Sequence, residues 1–304
     1  MDQHEYNFPE IKEVDLHPIE MLTAVYLNEM TGALRDHIID RLKAIEIIIA
    51  GVEVIAQSTK TPDLVRGVSG MFDDDIKELT CDRLYSTYRD NFEYGRYALR
   101  NGFKNMMFGS KSELPSFDSS KASILDPCVL ALMRMATNKM DGLKDLTPMY
   151  NSAKSGSSFN RLAHAVVGYS APSFLLIRHS YKNTSEQTCR GLIGAMVDCE
   201  WKDELGYWGS SNTCILTLLP RVKFMYAYKG KGGNSFAYLN TRKISNSKYG
   251  CGLGFGGSQF KDYRIWLDDE LLDKSKSTGY DDTFPIGAMS EGYDENLTVG
   301  YEMT

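Results

Sequence analysis

The chain has 304 residues, of which 42% are hydrophobic and 24% charged, so it is long enough for a sizeable core and too apolar for wholesale disorder. Its formal net charge of -6 gives no reason to expect nucleic acid as the main partner. The apolar run Ala44–Ala56 contains two glutamates and is too short to span a bilayer, so no membrane insertion is expected. The N-terminus lacks the segments of a secretory signal, which predicts a cytoplasmic protein, at most on the surface of an organelle or large assembly.

The first third of the chain is predicted to be helical. Apolar residues at spacings of three and four predict helices over 18–57, separated at Gly32. The polar stretch 58–70 predicts a loop. The acidic triplet 73–75 predicts the start of a further helix that extends toward Arg100, because carboxylates at a helix N-terminus are favourable to the helix dipole.

A linker and three short helices are predicted next. Residues 103–123 are rich in Ser, Lys, Gly and Pro and form the best linker candidate. The pair Asp126-Pro127 predicts an N-cap and first-turn proline for a helix through about Lys139. A short helix after it is followed by another that is predicted to begin at Ser157 as N-cap and to end at Val166.

The rest of the chain has the composition of short β-strands. The predicted strands are 173–179, 190–197, 213–219, 222–228, 235–239, 264–268 and 296–303. Neighbouring strands are joined by links too short for crossover helices, so the sheets should be mainly antiparallel. The predicted fold is therefore α+β, with a helical N-terminal region (1–125) followed by a two-sheet β-sandwich with a few flanking helices (126–304).

One glycine-rich segment matches a nucleotide-binding pattern. Gly252, Gly254 and Gly257 satisfy G-x-G-x-x-G, and Asp281 follows at roughly the distance of the acidic residue in that fingerprint. A dinucleotide site needs an apolar strand before the glycines and a helix after them. Here the preceding residues are polar, and Tyr263 begins an aromatic segment that favours a strand. The pattern therefore predicts a glycine-rich strand and turn, without a cofactor.

No other motif predicts catalysis or metal binding. The six cysteines are scattered without a C-x-x-C pair, which favours reduced thiols, and no histidine lies in H-E-x-x-H spacing. The carboxylates 268–270 are interpreted as a solvated strand end, and 229–234 as a hairpin turn rather than a phosphate-binding loop. Core packing is expected for Trp201 and Trp266. Trp208, between glycines at 206 and 209, is the candidate for an exposed partner contact.

A series of segments resembles the TLDc domain family in order and spacing. They are 150–159, 168–177, 191–195 with Trp201, 214–220, 226–230, 256–257, 265–268 and 283–284. The resemblance covers about residues 130–304. The residues that match the family motifs, and are expected to be mainly structural, are Tyr150, Ser152, Gly156, Ser158, Phe159, Pro172, Gly194, Trp201, Pro220, Gly230, Gly256, Gly257, Trp266, Leu267, Asp268 and Phe284.

The resemblance implies an adaptor rather than an enzyme. TLDc proteins are linked to oxidative-stress resistance, and several bind the vacuolar proton-pumping ATPase, so subunits of that pump are the expected partner. One alternative is a component of another large assembly, docked through the helical region. Another is a thiol or peroxide activity, but Lys276, Ser277 and Asp281 stand where the family often has Gly, Ser and Cys. The chain stops at Thr304 without the expected aromatic tail, which indicates a truncated or unusually short C-terminus.

Overall fold

The structure is a computed structural model, and it describes residues 38–58, 60–108, 114–118, 124–140, 142–182, 188–228, 234–245, 248–271, 275–285, 287 and 289. The predicted helices before residue 38, all but the last residue of the hairpin turn predicted at 229–234, and the final strand 296–303 lie outside the described residues.

The helices of the described residues all lie before residue 167. They are α1 (Arg41–Ala56), α2 (Pro62–Ser69), α3 (Cys81–Asn91), α4 (Gly95–Phe108), α5 (Pro127–Ala136), a 3-10 turn (Asn138–Met140), α6 (Ser152–Ser155) and α7 (Phe159–Val166). None of the described helices has the length and apolar composition needed to cross a bilayer.

The strands form two four-stranded antiparallel sheets and two small pairs. The strands are β1 (Ile38–Asp40), β2 (Glu78–Thr80), β3 (Ser116–Phe117), β4 (Asp145–Leu146), β5 (Ser173–Lys182), β6 (Thr188–Val197), β7 (Cys214–Leu219), β8 (Lys223–Tyr226), β9 (Ala237–Asn240), β10 (Gly252–Phe255), β11 (Ile265–Asp268) and β12 (Lys276–Ser277). The first sheet has the order β5-β6-β7-β8, and the second has the order β12-β11-β10-β9. β1 pairs with β2 in antiparallel fashion, and β3 pairs with β4 in parallel. The predicted α+β fold with mainly antiparallel sheets is confirmed.

The first sheet is the central layer of the molecule, because its two faces contribute to different cores. Alternate side chains of β5 show this: Leu176 packs in the core that contains α1 and α5, whereas Leu175 and Ile177 pack in the core shared with the second sheet. Every residue of β7 is buried for the same reason. The helices before residue 125 therefore share a hydrophobic core with the β-sandwich, although the predicted domain boundary there stays a prediction.

Several helix boundaries in the first 108 residues differ from the prediction. Ile38 belongs to a strand, so the prediction of helix over 18–57 is wrong at this position. The predicted loop 58–70 contains α2, because Thr61 accepts from the amide of Leu64 and Pro62 occupies the first turn. The helix predicted from 73–75 begins only at Cys81, with Thr80 as its N-cap.

The predicted linker and the following helices are partly confirmed. Residues 103–108 are wrongly placed in the linker, because they complete α4. The helix predicted from Asp126-Pro127 forms but ends at Ala136, with Lys139 in the 3-10 turn after it. The N-cap of α7 is Ser158, whose Oγ accepts from the Arg161 amide, rather than Ser157 as predicted.

The cap of α5 gives a stability prediction. Asp126 Oδ1 accepts from the Val129 amide at 2.8 Å, and α5 is buried over most of its length. Asp126→Ala should lower the free energy of unfolding by about 1 kcal/mol, because the helix amide loses its acceptor. Asp126→Asn is the matched control, since asparagine also caps helices. Urea denaturation of both variants tests this, and equal stability of the two would contradict it.

Candidate functional site

The glycine-rich segment lies at the centre of the second sheet, under a layer of aromatic rings. Gly252–Phe255 forms β10, which pairs with β9 on one side and β11 on the other. A Cβ atom added at Gly252 would lie 2.6 Å from the Trp266 ring, and one at Gly254 would lie 2.4 Å from the Tyr263 ring. The glycines are therefore required by the rings that pack on them.

The nucleotide interpretation finds no support in this geometry. The residues that follow Gly257 form a turn and then β11, so the helix N-terminus that would hold a pyrophosphate is absent from the described part, residues 258–271. The rings of Tyr263 and Trp266, stacked 4.6 Å apart, occupy the space above the glycines. The predicted strand and turn are confirmed.

A strained loop presents half-buried aromatic rings at the edge of this layer. Gln259, Phe260 and Asp262 all have positive φ angles, of 50°, 63° and 54°. Such angles are unfavourable for a bulky residue like Phe260. Its backbone amide donates to the Tyr207 hydroxyl at 2.7 Å, and the two rings stack at 4.6 Å with an interplanar angle of 3°. Tyr249 packs edge-on against Phe260 at 4.8 Å.

We call Tyr207, Tyr249 and Phe260 the aromatic loop cluster. All three side chains are half-buried, so each keeps part of its ring accessible. The exposed Lys248 places its Nζ 5.2 Å from the Tyr249 ring centre and 5.3 Å from that of Phe260. Such contacts between a cation and a ring face are favourable and add to the rigidity of the cluster.

A buried ion pair holds the segment after β12 against the sandwich. Arg264 and Asp281 have side chains that are 0% exposed, and Arg264 Nη1 lies 3.1 Å from Asp281 Oδ2. The guanidinium also donates to the carbonyls of Pro285 at 2.8 Å and Gly287 at 2.6 Å. Asp281 is the acidic residue that completed the nucleotide fingerprint, and it lies against Gly256, where an added Cβ would be 3.0 Å from its carboxyl carbon.

The family model for the TLDc domain matches residues 119–298, which is more than half of the chain. The chain belongs to the TLDc family. A search of curated proteins gives no match.

The residues that match the TLDc motifs have structural surroundings wherever the structure describes them. Tyr150 donates its hydroxyl to the Gly156 carbonyl at 2.6 Å and accepts from the Ser158 amide at 3.1 Å, which ties α6 to α7. Trp201 donates to Ser173 Oγ at 2.8 Å. A Cβ at Gly194 would lie 2.1 Å from the Leu175 carbonyl oxygen, so the adjacent strand excludes a side chain there.

The other motif residues divide between turns, cores and half-buried positions. Ser152, Phe159, Leu267 and Phe284 are buried, Pro172 and Trp266 are half-buried, Pro220 follows a cis peptide bond, and Gly256 and Gly257 have positive φ angles. Gly230 lies outside the described residues.

Three expectations about exposure are wrong. Trp266, which is expected to pack in the core, is half-buried with its ring stacked on that of Tyr263. Trp208 is only 5% exposed, because its ring packs 5.3 Å from that of Trp201 and its backbone pairs with Ala237. Asp268 is also buried and accepts from Ser275 Oγ at 2.8 Å, so it is not a solvated strand end. Of its neighbours, Asp269 forms an ion pair with Lys243.

Burial is the largest influence on the pKa of each described thiol, although Lys202 lies near Cys199 and Lys243 near Cys251. Burial raises the pKa of Cys81, Cys199, Cys214 and Cys251, and it raises the pKa of Cys128 to about 11. A reactive cysteine is instead one whose thiolate is stabilised by nearby positive charge. Among the described side chains, no group of three His, Cys, Asp or Glu residues is placed to hold a metal ion.

The aromatic loop cluster is the part of the site that the sequence did not reveal. Tyr207 is adjacent to the predicted contact Trp208, but its partners Tyr249 and Phe260 are distant in sequence and carry no motif. The only available signal was a phenylalanine in a polar turn after the glycines.

Proposed function

We propose that this TLDc protein is a non-enzymatic, cytoplasmic adaptor that binds subunits of the vacuolar proton-pumping ATPase, a role linked to oxidative-stress resistance. Membership of the TLDc family supports the choice of ATPase subunits as the partner. The aromatic loop cluster is the observation that supports the location of the contact surface. The raised pKa values of the described thiols favour binding over peroxide chemistry.

The cluster has the physical properties of a binding anchor. Aromatic side chains are enriched among the residues that dominate interface energies, since each buries a large area with few rotatable bonds. Stacking with Tyr207 and the hydrogen bond from the Phe260 amide hold Phe260 in place before any partner arrives. A preorganised ring loses little conformational entropy on binding.

Replacement of the central ring tests this surface. Phe260→Ala should weaken capture of ATPase subunits at least about tenfold, because truncation of an interface anchor commonly has an effect of that size. The matched control is Tyr280→Ala, which removes another exposed aromatic ring, 59% exposed, outside the cluster. Full-length tagged variants are used for affinity purification from the native cells at low salt, and thermal unfolding verifies that both are folded.

This experiment distinguishes a wrong partner from a wrong contact surface. Absence of every pump subunit with the unsubstituted protein would refute the ATPase assignment. Capture that is equal for Phe260→Ala and Tyr280→Ala would refute the aromatic loop cluster as the contact surface.

A second candidate is a component of another large assembly that docks through the helical region. Leu42 offers a contact point for such docking, because this apolar residue of α1 is 70% exposed. Deletion of residues 1–125 would be uninformative, since those helices share the core with the first sheet. Leu42→Lys should instead reduce incorporation into the assembly, whereas Phe260→Ala should leave it unchanged.

A further inference from the structure

An apolar pocket of about 470 Å³ opens beside the first sheet, and none of its lining residues belongs to the aromatic loop cluster. Its walls come from α5, the segment around β4, α7 and the first half of β5, and Trp201 contributes one side. The volume lies in the range of about 300–1,000 Å³ that is typical of small-molecule sites. It also exceeds, by about fifteenfold, the roughly 30 Å³ that one water molecule occupies in the liquid.

The side chains of this pocket define the ligand that it can accept. Apolar residues such as Met133, Leu162 and Phe174 form most of the lining, and no lysine, arginine or histidine is among the lining residues that the structure describes. Within this described lining the only acidic group is the carboxylate of Asp145, which is exposed and accepts from Ser116. An anion in this pocket would lose hydration without gaining a counter-charge.

The buried polar side chains of the lining already have partners. The Tyr150 hydroxyl donates to the Gly156 carbonyl and accepts from an amide, as described above. Ser173 Oγ accepts from Trp201 Nε1 and lies 3.4 Å from the Val197 carbonyl oxygen to which it donates. The interior therefore recognises shape and apolar surface rather than charge, and a ligand gains affinity chiefly through burial of its own apolar area.

We propose that this pocket binds a small, uncharged, predominantly apolar molecule, with its polar end directed to the exposed lining residues Asp145 and Thr147. This pocket shares no lining residue with the aromatic loop cluster. It also needs no residue of the buried ion pair between Arg264 and Asp281.

Two fluorescent probes of nearly the same shape provide the test. N-Phenyl-1-naphthylamine is neutral, and 1-anilinonaphthalene-8-sulfonate adds one sulfonate to the same ring skeleton. Titration of the full-length protein should show saturable binding of the neutral probe with micromolar affinity. The anionic probe should bind at least about tenfold more weakly, because its sulfonate would be desolvated without a counter-charge or placed beside Asp145.

Two tryptophan variants locate the binding. Ala171 is an exposed member of the lining, so Ala171→Trp should block the pocket without disturbing the core. Val167 is 41% exposed and does not line the pocket, so Val167→Trp adds the same ring nearby as a control. Binding of the neutral probe should fall at least about tenfold in Ala171→Trp and stay unchanged in Val167→Trp.

A charge reversal tests the source of the selectivity. Asp145→Lys should leave the affinity of the neutral probe unchanged and strengthen binding of the anionic one severalfold. The proposal is overturned if the neutral probe does not bind, if Ala171→Trp binds it as well as Val167→Trp does, or if the anionic probe binds the unsubstituted protein as tightly as the neutral one.

Discussion

Replacement of Arg264 by methionine should lower the free energy of unfolding by about 3–5 kcal/mol, the effect expected when one member of a buried ion pair is removed. In this variant the Asp281 carboxylate stays buried without its counter-ion. The carbonyls of Pro285 and Gly287 also lose the donors that lie 2.8 and 2.6 Å away. Urea denaturation near neutral pH measures the loss.

An exposed ion pair of similar length is the matched control. Arg221 Nη2 lies 3.0 Å from Asp73 Oδ1, and their side chains are 43% and 60% exposed. Arg221→Met should change the free energy of unfolding by less than about 1 kcal/mol, because water solvates both charges in that pair. Equal losses for Arg264→Met and Arg221→Met would contradict the structural role of the buried pair.

The protonation state of Asp281 determines the pH at which the stability of the Arg264 variant differs most from that of the unsubstituted protein. Burial raises the pKa of Asp281, whereas the amides of Phe284 and Thr283 and the Arg264 guanidinium oppose that rise. Removal of Arg264 lets burial raise the pKa further, so protonation relieves part of the penalty in acid. The stability difference from the unsubstituted protein should therefore be greatest at neutral or higher pH and should shrink as the pH falls.

Asp281→Asn separates the charge of this residue from its hydrogen bonds. Oδ1 of Asp281 accepts from the Thr283 and Phe284 amides at 2.6 and 2.9 Å, and an asparagine carbonyl can accept the same bonds. The double variant with Arg264→Met removes both charges and should be more stable than the sum of the single losses predicts. Additive losses would show that the two side chains do not act as a pair.

The strands of the sandwich could be predicted because strands that are buried have a mainly apolar composition. β7 reads Cys-Ile-Leu-Thr-Leu-Leu, and such a continuous apolar run is expected of a strand that is covered on both faces. The sequence does not predict the helix starts at Thr61 and Thr80. The proline beside Thr61 favours a loop and the acidic triplet 73–75 favours an earlier helix start, and a threonine N-cap is a weaker signal than either.

Contacts between residues distant in the chain could not be predicted from local patterns. The glycines at 206 and 209 predict that Trp208 lies in an exposed loop. The position of its indole depends instead on packing against Trp201 and on backbone pairing with Ala237. In the sequence, Asp281 stands out only as the acidic residue of a false nucleotide-binding fingerprint. Its actual partner, Arg264, is identified only when the segment after β12 folds back over the sandwich.

His179 should make the protein lose stability in mild acid. This residue is 1% exposed and lies on the face of β5 that points into the core between the sheets, with its ring over Gly191, where an added Cβ would be 2.1 Å from Nε2. Burial lowers the pKa of His179 to about 4 from its ordinary 6.5. The native state therefore holds the imidazole neutral at a pH where the unfolded chain would protonate it.

The sign of the effect follows from which state binds the proton. Between pH 6.5 and about 4, the unfolded chain binds more protons at this histidine than the folded protein does, so stability falls as the pH falls through that window. The contribution is complete above pH 6.5. At pH 5 the expected loss is about 2 kcal/mol relative to pH 8, and it approaches about 3 kcal/mol below the folded-state pKa.

A variant without the imidazole isolates this contribution from the carboxyl groups that titrate in the same experiment. His179→Leu should be less sensitive to pH between 8 and 5 by about 2 kcal/mol, whatever its absolute stability. His164 is exposed on α7, so His164→Gln should retain the pH dependence of the unsubstituted protein. Urea denaturation at each pH gives the slopes, and NMR titration of the imidazole measures the folded-state pKa directly. A native His179 that titrates near 6.5 would refute the prediction, because the folded and unfolded states would then bind the proton equally.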